Sequence, residues 1–401
     1  MKDNFEAFKP HFNFLVMFGC YKIMSPTSKM QESLHLFYRI FVTVYYCTFC
    51  TQHLIRLYQI QDNVSELVDT LYVLLTLFNS LGKLVIFNVR RTRIERIAEV
   101  IKGPVFAPNS KRHEELIMRN AAKMKRLFRG YQGFVIVCSM LWMTYPLMTR
   151  FLGEEVRFAM YWPFSTDKLP VFLFVVVYIT IMVHWVSLST VAMDCIAVGF
   201  YMQAQLQLQM LRYNFMHLAD SEDEVNDDDN DKFEVKMYRD VESSRFENSF
   251  RKRLIMCIKR QQLIVWLVDE VESVFGSSMV LQFLVMAWII CMTVYKIIGL
   301  NVMSAEFVTM IVYLGCVLLQ LFLFCYYGTQ LKDESEYVNQ SIYESDWPAV
   351  SPRLRRPLLI MMERCYQPVA PCIAYVVPMS LDTFISIVKS AYSLYTFLDQ
   401  S

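Results

Sequence analysis

Residues 171–201 read VFLFVVVYITIMVHWVSLSTVAMDCIAVGFY, with Asp194 the one formally charged side chain among them. A helix rises about 1.5 Å per residue and the hydrocarbon core of a bilayer is about 30 Å thick, so about 20 mostly apolar residues suffice to cross it. This run exceeds that length, and six more stretches meet it: residues 36–59, 67–88, 131–152, 275–298, 306–327 and 372–398. The sequence therefore predicts an all-α membrane protein of seven transmembrane helices. Composition agrees, since 55% of the 401 residues are hydrophobic and 19% charged, a more apolar balance than that of an ordinary soluble domain.

The connections between these runs decide orientation, because loops rich in Lys and Arg stay in the cytoplasm. Twelve such residues lie from Arg90 to Arg129 and ten from Arg212 to Arg260; Lys332, Arg353, Arg355, Arg356 and Arg364 precede the seventh run. The alternate connections carry Arg157 and Lys168 alone. The expected N-terminus is cytoplasmic and the expected C-terminus extracellular, the reverse of a G-protein-coupled receptor. The triplet Asn63-Val-Ser65 then falls on the outer side, too close to the bilayer for glycosylation.

Several function classes drop out. A net charge of +1 with no long basic patch leaves no electrostatic footprint for nucleic acid. No nucleophile constellation, phosphate-binding glycine loop or pair of carboxylates within a span supports an enzyme. Most of the eleven cysteines sit inside apolar runs and read as small buried residues. Cys47 and Cys50 have the spacing of a metal knuckle but lack a second pair, so neither metal nor cofactor is expected. The first 35 residues are expected to hold no cleavable signal, and the first span is the expected insertion signal.

The cytoplasmic connections have helical periodicity of their own. Ile94, Ile97, Ala98 and Ile101 share one face before a breaker at Gly103-Pro104, and a second run covers residues 114–128. Residues 201–217 extend the fourth span, and residues 246–274 lead into the fifth with Leu254, Ile258, Leu263 and Trp266 at helical spacing. Between them, residues 220–232 are acidic and too poor in apolar side chains to bury anything. The expected organisation is a cytoplasmic segment 1–35, helices one to four over 36–203, cytoplasmic extensions over 204–274, helices five and six over 275–327, a cytoplasmic anchor over 328–371 and a seventh helix over 372–401.

The final third carries specific motifs. Cys325-Tyr-Tyr-Gly328-Thr-Gln-Leu331, Ser335 and Tyr343-Glu-Ser-Asp-Trp347 are followed by Leu358-Leu-Ile-Met-Met362, Arg364, Gln367-Pro368, Pro378, Leu381, Phe384, Ile387 and Lys389-Ser-Ala-Tyr-Ser-Leu-Tyr-Thr396. This pattern resembles the insect odorant-receptor family, with Ala391 and Tyr395 departing from common family choices. The Thr-Tyr and Gln-Phe ending of the related gustatory receptors is absent. The motifs occupy about the last 75 residues, and length, span number, orientation and long inner loops agree over the whole chain.

The resemblance implies an odorant-binding subunit of a ligand-gated, non-selective cation channel, a heterotetramer with an olfactory co-receptor whose seventh helices line one pore. It also implies a multi-pass protein of the plasma membrane, in the dendrites of olfactory sensory neurons, with membrane lipid and a small volatile odorant as further partners. A multi-span small-molecule transporter or a gustatory-type channel is the alternative.

On the last helix, Lys389, Ser393, Thr396, Asp399 and Gln400 form a polar stripe opposite Ile387, Val388, Tyr395 and Leu398. Ser393 and Thr396 are the better pore-lining candidates, Asp399 would attract cations at a mouth, and Leu398 suits an apolar gate. The resemblance places the ligand in the outer half of the bundle. Aromatic and aliphatic candidates there are Tyr72, Leu75, Phe78 and Asn79 on the second helix, and Trp142, Tyr145 and Met148 on the third. Phe174, Tyr178 and Met182 come from the fourth, and Phe307 and Met310 from the sixth; their clustering, not any one of them, carries the expectation. Tyr343, Trp347, Arg353, Arg355 and Arg356 are the expected subunit anchor, with attraction to anionic headgroups a second role for the arginines. Lys83 and Arg150 are expected to snorkel to the interface. His184 should be satisfied by a neighbouring helix, and Asp194 should pair across helices with a partner the sequence does not name.

Overall fold

The computed structural model describes the chain except residues 1–3, 24–27, 61–63, 154–155, 157, 219–234, 301–303, 346, 348–350, 374–376 and 400–401, and except the side chains of 64–66, 68–69, 235–245, 394–395 and 397–399. The acidic run at 220–232 and Asn63 fall outside the described residues.

The described helices are α1 (Lys9–Met17), α2 (Lys29–Gln59), α3 (Val64–Val89), α4 (Arg91–Lys102), α5 (Lys111–Phe151), α6 (Leu169–Met216), α7 (Val235–Ile298), α8 (Ala305–Tyr343), α9 (Pro352–Tyr366) and α10 (Leu381–Asp399). The seven expected spans fall on α2, α3, α5, α6, α7, α8 and α10. Of these, α3, α5, α6, α7 and α8 are long and apolar enough to cross a membrane by length and composition. Three begin at serine caps: the hydroxyls of Ser28, Ser110 and Ser304 accept the amide hydrogens of Gln31, His113 and Phe307 at 3.1–3.2 Å.

The helices α5, α6 and α7 run on past their apolar segments, as the periodicity of the connections predicts, and α8 does so as well. Within α6 every residue from Val191 to Ala204 is buried, the condition of a helix that is apolar all round. Around it packs one large core reaching Phe87, Phe275 and Phe324. The expected face of α4 is the buried one: Ile94, Ile97, Ala98 and Ile101 are 0–2% exposed. Arg260 holds the segment after α4, donating from Nε and Nη2 to the Val105 and Ala107 carbonyls at 2.9–3.1 Å. Arg93 forks onto both carboxylate oxygens of Glu270 at 2.7 and 2.8 Å, and Arg212 meets Glu334 at 2.8 Å.

One feature was not named by the sequence and two depart from expectation. The N-terminal segment is built into the core: Phe5, Phe8, Phe12 and Leu15 are buried, and the Phe8 and Phe200 rings stack at 5.0 Å. The seventh helix starts at Leu381 rather than at residue 372. Before it, β1 (Cys372–Ile373) pairs antiparallel with β2 (Val377–Pro378), because Pro378 has no amide hydrogen and disfavours a helical residue before it. Finally, Lys83 does not snorkel. It is 4% exposed, and its Nζ lies 2.5 Å from Asp194 Oδ1.

The hairpin seats on α8 through family-motif residues. A Cβ at Gly328 would collide with the Met379 carbonyl oxygen. Thr329 Oγ1 accepts the Leu381 amide hydrogen at 3.0 Å, and Ser335 Oγ accepts that of Val369 at 2.8 Å. The end of the chain is thus registered on α8 by one absent side chain and two hydroxyls.

Candidate ligand-binding site

A cavity of about 180 Å³ lies among α3, α5, α6, α7 and α8. Its walls are Tyr72, Val73, Thr76, Leu77 and Asn79 from α3; Tyr131, Val135, Cys138, Ser139 and Trp142 from α5; and Val183, Val186, Ser187, Thr190 and Val191 from α6. Met286 and Ile289 come from α7, and Thr309, Tyr313, Cys316, Val317 and Gln320 from α8. A second cavity of about 330 Å³ adjoins it, and both contain Phe49, Tyr72, Val73, Trp142, Val183 and Thr309 in their walls. The second is lined further by Phe158, Met160, Tyr145 and Met310 and includes the ion pair of Lys296 with Glu306, 2.9 Å apart.

Most polar atoms in the smaller cavity already have protein partners. Thr76 Oγ1 donates to the Tyr72 carbonyl at 2.9 Å, which leaves it to accept from the Tyr313 hydroxyl at 3.0 Å. His184 Nδ1 lies 2.8 Å from the Thr180 carbonyl and Nε2 lies 3.0 Å from Ser139 Oγ. Both ring nitrogens thus have protein partners, one of them on α5, as expected of His184. At the Gln320 end, that side-chain amide donates to Asp194 Oδ2 at 2.5 Å, completing a chain from Lys83 through Asp194 to the cavity wall. The buried Asn79 Oδ1 has no hydrogen-bond partner among the described residues. The site is an aromatic and aliphatic enclosure with few open polar positions, the chemistry that holds a small, largely apolar molecule.

The structure brings Tyr72, Asn79, Trp142, Tyr145 and Met310 of the twelve sequence-named residues to these cavities. Tyr178 and Met182 pack behind them in a second apolar cluster with Tyr46 and Phe49, the Tyr178 hydroxyl donating to Gln52 Oε1 at 3.0 Å. Leu75 and Phe307 are half-buried away from the cavity walls. Phe78, Met148 and Phe174 stand on the outside of the bundle, 40, 52 and 61% exposed.

Sequence reasoning missed Thr76, Cys138, Ser139, Tyr313, Cys316 and Gln320. A signal existed. Tyr72, Thr76, Asn79 and Lys83 follow the spacing of one helix face, as do Val135, Ser139 and Trp142, or Tyr313, Val317 and Gln320.

On α10, Lys389 and Ser393 are exposed and Thr396 is half-buried, its hydroxyl donating to the Ser393 carbonyl at 2.8 Å; the side chains of Leu398 and Asp399 lie outside the described residues. Of the expected anchor, Tyr343, Arg353 and Arg356 are exposed, Arg355 is intermediate, and Trp347 packs against the core. Among the described residues no group of three or more His, Cys, Asp or Glu could hold a metal ion.

The family description "7tm Odorant receptor" matches residues 63–392. Odorant receptor 22b of Drosophila melanogaster is 28% identical over 159 residues, 40% of each chain. Odorant receptor 85f of the same species is 28% identical over 244 residues, 60% of this chain and 56% of the relative. The alignments thus span about half the length of these relatives or less. The insect olfactory receptor OR5 of Machilis hrabei in complex with eugenol superposes with a TM-score of 0.82 at 14% identity, covering both chains completely.

Proposed function

This chain belongs to the 7tm odorant receptor family, one of membrane-spanning receptors rather than enzymes, and from that premise we propose that it is the odorant-binding subunit of a ligand-gated, non-selective cation channel. The observation that carries the reading is the pair of adjoining cavities divided by Tyr72 and Trp142. A volatile molecule seated there would touch α3, α5, α6, α7 and α8 at once, so a change in its occupancy bears on the packing of α8. The helix α8 in turn holds the start of α10 through Thr329 and Gly328.

In this reading the N-terminus is cytoplasmic, the C-terminus is extracellular, and four subunits, this chain and an olfactory co-receptor, surround a pore lined by Lys389, Ser393 and Thr396, with Leu398 as its gate and Asp399 at its mouth. Tyr343, Trp347, Arg353, Arg355 and Arg356 anchor the subunits near the inner face. The protein then works in the plasma membrane of olfactory dendrites. The organisation proposed along the chain keeps the sequence boundaries, except that the seventh helix follows the hairpin.

Whole-cell current in cells expressing this chain with and without an odorant co-receptor, under a broad volatile panel, tests it. A fast, nucleotide-independent cation current that requires the co-receptor is expected. A surface-expressed pair that no volatile opens, and whose basal current is unaltered by substitution of Thr396, overturns the reading.

A further inference from the structure

We propose that Cys138 and Cys316 form an oxidisable pair in the wall of the smaller cavity, a modification site at which a small oxidant joins α5 to α8 by a disulfide. The two sulfurs lie 2.7 Å apart. That is nearer than the roughly 3.5–4.0 Å at which non-bonded heavy atoms rest, and only about 0.7 Å beyond a sulfur–sulfur bond of about 2.05 Å. The residues are 178 positions apart in the chain, so helix packing alone makes the meeting.

Place in the cavity wall separates this pair from the other thiols. Both side chains are only half-buried and line the cavity, among Tyr131, Val135, Tyr313 and Val317. By contrast Cys20, Cys50, Cys195, Cys257, Cys291, Cys325 and Cys365 are buried, while the exposed Cys47 and the half-buried Cys372 lie outside the cavity walls. An oxidant small and neutral enough to occupy an odorant-sized cavity reaches these two sulfurs together. Hydrogen peroxide meets that description. One thiol attacks a peroxide oxygen, becoming a sulfenic acid and releasing water; the second attacks that sulfur, and a second water leaves as the bond closes. In sum two thiols and one peroxide give one disulfide and two waters, the sulfurs losing the two electrons that the peroxide gains.

The bond fixes the distance between α5 and α8 beside Trp142 and Tyr313, the wall through which the proposed odorant acts. That consequence rests on the odorant reading; the chemistry of the pair does not.

The test uses the full chain in membranes with its co-receptor. After hydrogen peroxide, remaining thiols are capped with N-ethylmaleimide under denaturing conditions, and the digest is read by mass spectrometry. The expected product is one crosslinked peptide joining Cys138 to Cys316, two hydrogens lighter than its parts, lost on dithiothreitol and lost in Cys138→Ser and in Cys316→Ser. Recovery of both residues as maleimide adducts, or of either bonded to a third cysteine, overturns the proposal. Mass reports the crosslink whether or not any volatile opens the channel, so its failure is distinct from a failure of the odorant reading.

Discussion

Lys83 and Asp194 show what one buried charge demands. Each is 4% exposed, and Gln320 Nε2 supplies a further donor to the carboxylate. Removing one partner leaves the other charged and unpaired in an apolar surround, which costs about 3–5 kcal/mol, whereas an apolar pair of similar volume is tolerated. We expect Lys83→Met and Asp194→Leu each to lower the melting temperature of the detergent-solubilised protein sharply, and the double substitution to restore most of it. A double variant as damaged as the singles would show that the charges do more than neutralise each other.

His113 lies near the start of α5, beside Tyr213 of α6 and Arg260 of α7. Burial first, and the nearby Arg260 guanidinium second, push its pKa down from 6.5 to about 4. Its Nδ1 accepts the Asn109 amide hydrogen at 3.2 Å, a bond that protonation would break. A histidine whose folded pKa is depressed takes up its proton more readily when unfolded. Its contribution is therefore complete above about pH 6.5, falls as pH drops toward about 4, and totals on the order of 3 kcal/mol. Unfolding followed between pH 7 and pH 4.5 should show stability falling with acid, with a shallower fall in His113→Phe.

Among elements, the β1–β2 hairpin and α10 depend most on a neighbour. A methyl group at Gly328 meets Met379 backbone, which cannot yield as a flexible side chain can. Gly328→Ala should displace the hairpin at a cost of about 1–3 kcal/mol. Thr329→Val, which removes the acceptor for the Leu381 amide, should cost about 1 kcal/mol. Amide hydrogen exchange over residues 381–384 reads both: faster exchange there, with α3 unchanged, is the expected result. For α10 itself, the pore proposal expects Thr396→Cys to make the current sensitive to a thiol-reactive cation, while the odorant concentration for half response stays fixed.

For the whole molecule, the two cavities gather walls from five or more helices, so no single helix makes the site. Trp142 borders both cavities. Truncating it removes aromatic contact worth about 1.5–3 kcal/mol, which converts to a rise of about tenfold or more in the odorant concentration for half response. Trp142→Ala measured against Phe174→Ala separates wall from exterior, since Phe174 is 61% exposed on the outside of the bundle.

The sequence by itself determined the seven apolar helices, while α1 and α9 went unnamed in it. Apolar run length and helical period are local, and so the helical extensions of α5, α6 and α7, the buried face of α4 and the break at Gly103-Pro104 were all legible. Its C-terminal motif also pointed to the family, although the jobs of Gly328, Thr329 and Ser335 became visible only once the hairpin was seen against α8. Tertiary structure alone decided the rest. Which candidate faces a cavity depends on the rotation of each helix about its axis, and a rotation of about 100° separates Asn79 from Phe78. The partner of Asp194 lies 111 positions away and that of Cys138 lies 178 away. Such meetings are set by how the helices cross, a property of their packed surfaces together and of no single stretch of the chain.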